Sequence, residues 1–113
     1  MTKQAATILR TWSGSSEFQY YGSVSDGTRI EYGRGFAHKA LVSDAQYRAL
    51  LEHFCKKEVP IGTSHDNPPN GSVGAWLKGF VTQTGIASYV GPILCKEGLA
   101  RKTGRRGERI EFL

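Results

Sequence analysis

The stretch from residue 59 to 113 leaves this chain the least freedom. VPIGTS, SVGAWLKGF, TGIASYVGPILCKEG and LARKTGRRGERIEFL follow one another with little slack. In order they read as a short strand, a helix, a turn, a second helix and a two-stranded hairpin with a charged tip. Ser72 is a good N-cap, and Val73, Trp76, Leu77 and Phe80 stand at i, i+3, i+4 and i+7, one face of a helix. Gly74 and Gly79 each weaken that helix by about 1 kcal/mol relative to alanine, so packing must hold it. Thr84 is the expected cap of the next helix, which buries Ile86, Ala87, Val90, Ile93 and Leu94 and stops at Gly98. Pro92 interrupts it. A proline inside a helix removes a hydrogen bond to the residue four before it and costs about 3 kcal/mol, so a bend at Ser88 or two short pieces are expected. Ile110 and Phe112 in the last strand can face a core.

Upstream, Ser43 and Gln46 have the spacing of a capping box. Tyr47, Leu50, Leu51 and Phe54 then trace the buried face of a helix. Between Val59 and the Ser72 helix, Pro60 limits VPIGTS to a short edge strand, and the prolines of HDNPPNG enforce a loop from His65 to Gly71. Before Ser43, EFQYYGSV and TRIEYGRGF alternate apolar and polar residues on either side of Asp26-Gly27, a hairpin signal. FAHKALV either extends the second strand or forms a third. Residues 1–16 end in Ser13-Gly14-Ser15-Ser16 and read as a mobile or loosely docked arm closed by a linker, with Ile8, Leu9 and Trp12 available to pack on the body.

With 113 residues, one domain spanning 1–113 is expected. An apolar fraction of 39% and a charged fraction of 22% suit a globular chain, and no apolar run approaches the length of a membrane span. The first sixteen residues lack the apolar core of a signal peptide. Cys55 and Cys95 lie among apolar neighbours without metal-ligand spacing and are expected to be buried free thiols, which favours a cytoplasmic setting. The net charge is +5. Its distribution says more: between Lys96 and Leu113 six Lys/Arg face three Glu, and RKTGRR holds no acid.

From about Asp44 to Leu113 the chain resembles a winged helix-turn-helix module. The resemblance rests on the Trp76-Leu77 pair, Ala87 ten residues after Leu77, Leu94 seven after that, and Gly98-Leu99-Ala100-Arg101 entering the first wing strand. Pro92, the long Pro-rich loop and the N-terminal hairpin depart from the pattern. The fold implied is α+β, with an N-terminal β-hairpin, three helices and a C-terminal basic β-hairpin. The function implied is non-enzymatic binding of double-stranded DNA, as a homodimer, without cofactor or metal. Gln83, Thr84, Ser88 and Tyr89 would meet the major groove, and Arg101, Lys102, Arg105, Arg106 and Arg109 the phosphates.

Two other readings stand beside this one. Phe18, Tyr20, Tyr21, Tyr32 and Phe36 would let the hairpin serve as a dimeric module for protein or small-ligand interaction. His65-Asp66, with Ser64 and His38, offers a general base and its orienter for a hydrolase or nuclease, but supplies neither a nucleophile nor a third metal ligand. No catalytic residue is assigned. The more economical account of that dipeptide is a polar turn.

Overall fold

A computed structural model describes residues 5–64, 67–82 and 85–113. The fold is α+β, with three helices and two antiparallel sheets. Strands β1 (Thr7–Arg10), β2 (Glu17–Ser23), β3 (Gly27–Tyr32) and β4 (His38–Val42) form a meander in the order β1-β2-β3-β4. Helix α1 (Asp44–His53) leads to the short strand β5 (Glu58–Pro60). Helices α2 (Val73–Phe80) and α3 (Ala87–Lys96) follow, and then strands β6 (Ala100–Thr103) and β7 (Arg109–Phe112). The second sheet has the order β5-β7-β6.

The expected hairpin is thus half of a four-stranded sheet. FAHKALV supplies a third strand, β4, and the supposed arm supplies the fourth: β1 pairs with β2 in the register Leu9 to Phe18. Pairing places Leu9, Phe18 and Tyr32 in one inward row and Tyr20, Ile30 and Ala40 in the next, because side chains that share a register share a face. That face packs on α1 and α3. Tyr47 of α1 meets Thr28 through a buried hydroxyl pair 2.7 Å apart, and Phe18 sets its ring edge to Tyr89 of α3 at 5.2 Å. Ile110 and Phe112 close the same core from the second sheet.

Local signals hold where they were read. The Ser43–Gln46 capping box is complete, Ser72 caps α2, and β5, with its proline, lies at a sheet edge. Gly98, at φ +78°, closes α3 with a Schellman motif: the N–H of Leu99 donates to the Leu94 carbonyl and that of Gly98 to the Cys95 carbonyl. Three expectations change. Phe80 is not in the core but 70% exposed, since α2 turns Val73, Gly74 and Leu77 inward and leaves Trp76 and Phe80 stacked on each other at 5.1 Å. The N-cap position of α3 falls on Ile86 without a side-chain cap; Thr84 lies outside the described residues. Both cysteines are free, but Cys55 is exposed and Cys95 only half-buried.

Pro92 neither splits nor ends α3, which runs unbroken through it. The carbonyl that a residue-92 N–H would have satisfied belongs to Ser88, and it accepts instead from the backbone N–H of Trp12 at 2.9 Å. The preceding Gly91 makes this approach possible, because a Cβ there would stand 2.5 Å from the Trp12 ring. The pair that looked like a helix breaker is the seat of the N-terminal segment.

Candidate nucleic-acid interface

The wing is the β6–β7 hairpin, reversed over Gly104-Arg105-Arg106-Gly107 by a turn in which the Gly107 N–H donates to the Gly104 carbonyl at 3.3 Å. Its five cations are not equivalent. Arg101 is paired with Glu111 on the facing strand, and Arg109 reaches Glu58 on β5 at 3.0 Å. Lys102 folds back over the Trp12 ring, with Nζ 5.0 Å from the ring centroid and 2.6 Å from the Trp12 carbonyl oxygen. Arg105 and Arg106 remain at the tip, exposed, with no side-chain partner among the described residues. Glu108, the one acid of the turn, bends into it and accepts the Arg106 N–H at 2.8 Å; such backbone hydrogen bonds hold its carboxyl below the usual range.

Trp12 links wing, helix and sheet. Its indole Nε1–H donates to the Gly107 carbonyl, its backbone N–H to Ser88, and its side chain is 7% exposed. Reading it as part of an arm missed this role, and the only signal in the sequence was a large aromatic residue next to a Ser/Gly linker. Between Trp12, the wing turn and the 60–64 segment lies a cleft of about 580 Å³, lined by Lys102, Arg106 and Arg109 and by the hydroxyl-bearing Ser13, Thr63 and Ser64. Its far wall is firm, because the Gly62 backbone lies against α2: a Cβ on Gly74 would fall 1.8 Å from the Gly62 carbonyl oxygen.

The start of α3 is placed differently from what the resemblance implies. Gln83 and Thr84 lie outside the described residues. Tyr89 stacks on Tyr32 at 4.5 Å and meets Phe18, and Ser88 is half-buried with its carbonyl taken by Trp12. Of the ten residues of α3 only Lys96 is exposed, because the meander sheet covers the side that sequence periodicity left free. Three of the five aromatics from this part of the chain, Phe18, Tyr20 and Tyr32, are turned inward, whereas Tyr21 lies on the opposite face of β2. Phe18 and Tyr20 are buried, Tyr32 is held between Tyr89 and His38, and Tyr21 and Phe36 are half-buried, Tyr21 beneath the Arg29 guanidinium.

Burial, followed by the nearby Glu97 carboxylate, pushes the Tyr20 phenol up to about 12. Glu97 accepts from that phenol at 3.2 Å and from the Val24 N–H at 3.0 Å, stapling the meander to the end of α3. His65 and Asp66 lie outside the described residues. Of their suggested companions, Ser64 accepts the Asn67 N–H at 3.1 Å and His38 stacks on Tyr32 at 5.5 Å. Among the described residues no three His, Cys, Asp or Glu side chains gather as a metal site, and no helix is long and apolar enough to cross a membrane.

Comparison with known proteins supplies no relative: no family model, no curated protein and no solved structure matches the chain.

Proposed function

We propose that this chain is a non-enzymatic protein that binds double-stranded DNA through its basic wing. The observation that carries the reading is the division of labour among the wing cations. Three are tied back and brace the hairpin, while Arg105 and Arg106 stand exposed at its tip with no side-chain partner among the described residues. A braced hairpin lowers the ordering cost of contact, and two free guanidinium groups match phosphate oxygens bidentately. The order α1-β5-α2-α3-β6-β7 supports the reading, since it follows the sequence helix, short strand, helix, helix and hairpin on which the winged-helix resemblance rests.

With α3 covered by the meander, contact falls to the wing, on the backbone and in the minor groove, rather than to α3 in the major groove. Binding of this kind tolerates many sequences and depends steeply on salt. A homodimer belongs to the same reading, since paired wings suit a two-fold site.

The test is fluorescence anisotropy of a labelled random duplex titrated at several salt concentrations, beside an Arg105→Ala/Arg106→Ala variant. Affinity should fall linearly on a log–log salt plot, and the variant should flatten the slope by about 2 through the loss of two phosphate contacts. Absence of binding at low salt would remove the DNA reading.

A further inference from the structure

We propose that the cleft at the root of the wing is a phosphate seat, built around Lys102 and Arg106. As a nucleic-acid contact it rests on the DNA reading; as a site for a phosphate group it stands on its own geometry. Lys102 is the key. Its Nζ is anchored by a neutral acceptor, the Trp12 carbonyl, and by the face of a neutral ring. Its stem lies so close to Gly107 that a Cβ there would stand 2.2 Å from Lys102 Cε. The charge is therefore fixed in place but not neutralised. Arg101 and Arg109, by contrast, each face a carboxylate.

Among the described residues three cations, Lys102, Arg106 and Arg109, line the cleft against one carboxylate, Glu108, and that carboxylate is turned into the wing hairpin by the Arg106 N–H. The hydroxyl-bearing Thr63 and Ser64 form the opposite wall; Ser64 Oγ accepts from the Asn67 N–H, and a hydroxyl that accepts still carries a proton to donate. Fixed positive charge, an exposed guanidinium and hydroxyl-bearing walls suit a tetrahedral, doubly charged oxyanion. A lone carboxylate would engage the cations but leave part of this donor set unmatched.

The reporter is already in the site. Trp12 lines the cleft and Trp76 is the second tryptophan, so a Trp76→Phe chain reads the cleft through Trp12 emission alone. In that background, inorganic phosphate is titrated against sodium chloride of matched ionic strength. A saturable emission change with phosphate only is expected. Arg106→Gln should weaken it about tenfold or more, as loss of a charge-assisted contact does, and Thr63→Val should weaken it less.

A response equal to that of chloride, or one unchanged in both variants, overturns the proposal. A 5′-phosphorylated single strand, the same strand without its phosphate, and a mononucleotide separate the sources. Tighter binding of the phosphorylated strand assigns the seat to nucleic acid, and tighter binding of the mononucleotide assigns it to a small ligand. Arg105 does not line the cleft. If Arg105→Ala weakens duplex binding and phosphate gives no response, the wing reading stands and the seat falls. A phosphate response without duplex binding gives the reverse.

Discussion

Alanine at Gly91 puts two opposed effects in direct competition. In an exposed helix interior, glycine to alanine stabilises by about 1 kcal/mol through backbone entropy. Here the new Cβ would stand 2.5 Å and 2.8 Å from two atoms of the Trp12 ring and 3.0 Å from Ile61 Cδ1. Carbon–carbon contacts are most favourable at about 3.5–4.0 Å, so the ring must withdraw by roughly 1 Å. It is not free to do so, since its Nε1 is bonded to Gly107 and Lys102 lies over its face. Overpacking of a pinned core residue costs about 1–3 kcal/mol. The net expectation for Gly91→Ala is a loss of about 0–2 kcal/mol.

Trp12→Ala alone should cost about 3–5 kcal/mol, as for other large-to-small changes at a buried aromatic. In that background the clash with the ring is gone and only the 3.0 Å approach to Ile61 Cδ1, the end of a flexible side chain, remains, so Gly91→Ala should change sign to a gain of up to about 1 kcal/mol. The coupling between the two sites, measured by urea unfolding of all four chains at unchanged m, is then about 1–3 kcal/mol. Equal stabilisation by Gly91→Ala in both backgrounds would mean that Trp12 does not sit on α3, and the account of the Gly91-Pro92 seat would be wrong.

Stability should also fall as pH rises from about 10 to 12. The Tyr20 phenol holds its proton up to about 12 in the folded chain and only to 10.0 when unperturbed, so across that interval the folded state binds more protons than the unfolded one. Urea midpoints should drop over this range and drop less in Glu97→Gln, which removes the nearby negative charge; an identical fall in both chains would exclude Glu97 as a cause. A thiol reagent should modify Cys55 rapidly and Cys95 slowly, because Cys55 is exposed and burial pushes the half-buried Cys95 thiol up; equal rates by mass spectrometry would contradict this placement.

What could be read from the sequence was what neighbouring residues decide. The Ser43–Gln46 box, the Ser72 cap, the Asp26-Gly27 reversal and the Gly98 stop each depend on groups within a few positions of one another. What escaped depends on distant partners. Thr7–Arg10 offers only Leu9 to the core side and becomes a strand because β2 pairs with it. Pro92 was judged by the hydrogen bond it removes, and the donor that replaces it comes from Trp12.

The candidate interface follows the same division. The basic tip is a local charge pattern and was visible. That Lys102 is anchored, that Arg101 and Arg109 are paired, and that Tyr89 lies under the meander sheet with the Ser88 carbonyl taken by Trp12 are properties of layers meeting, which periodicity along one helix does not encode.

Trp12 and Gly107, joined by one hydrogen bond, are 95 residues apart in the chain. During synthesis at roughly 5–20 residues per second, the tryptophan waits about 5–20 s before its acceptor exists. The meander and α1 can assemble within that time from near neighbours, but their inner face, with Phe18, Tyr20 and Ile30, stays open until α3 and β7 arrive. That aromatic sheet face is therefore covered in part by the last elements of the chain to be made. The same late elements bring the Gly107 carbonyl to Trp12, so covering the sheet and bracing the β6–β7 hairpin depend on one part of the chain.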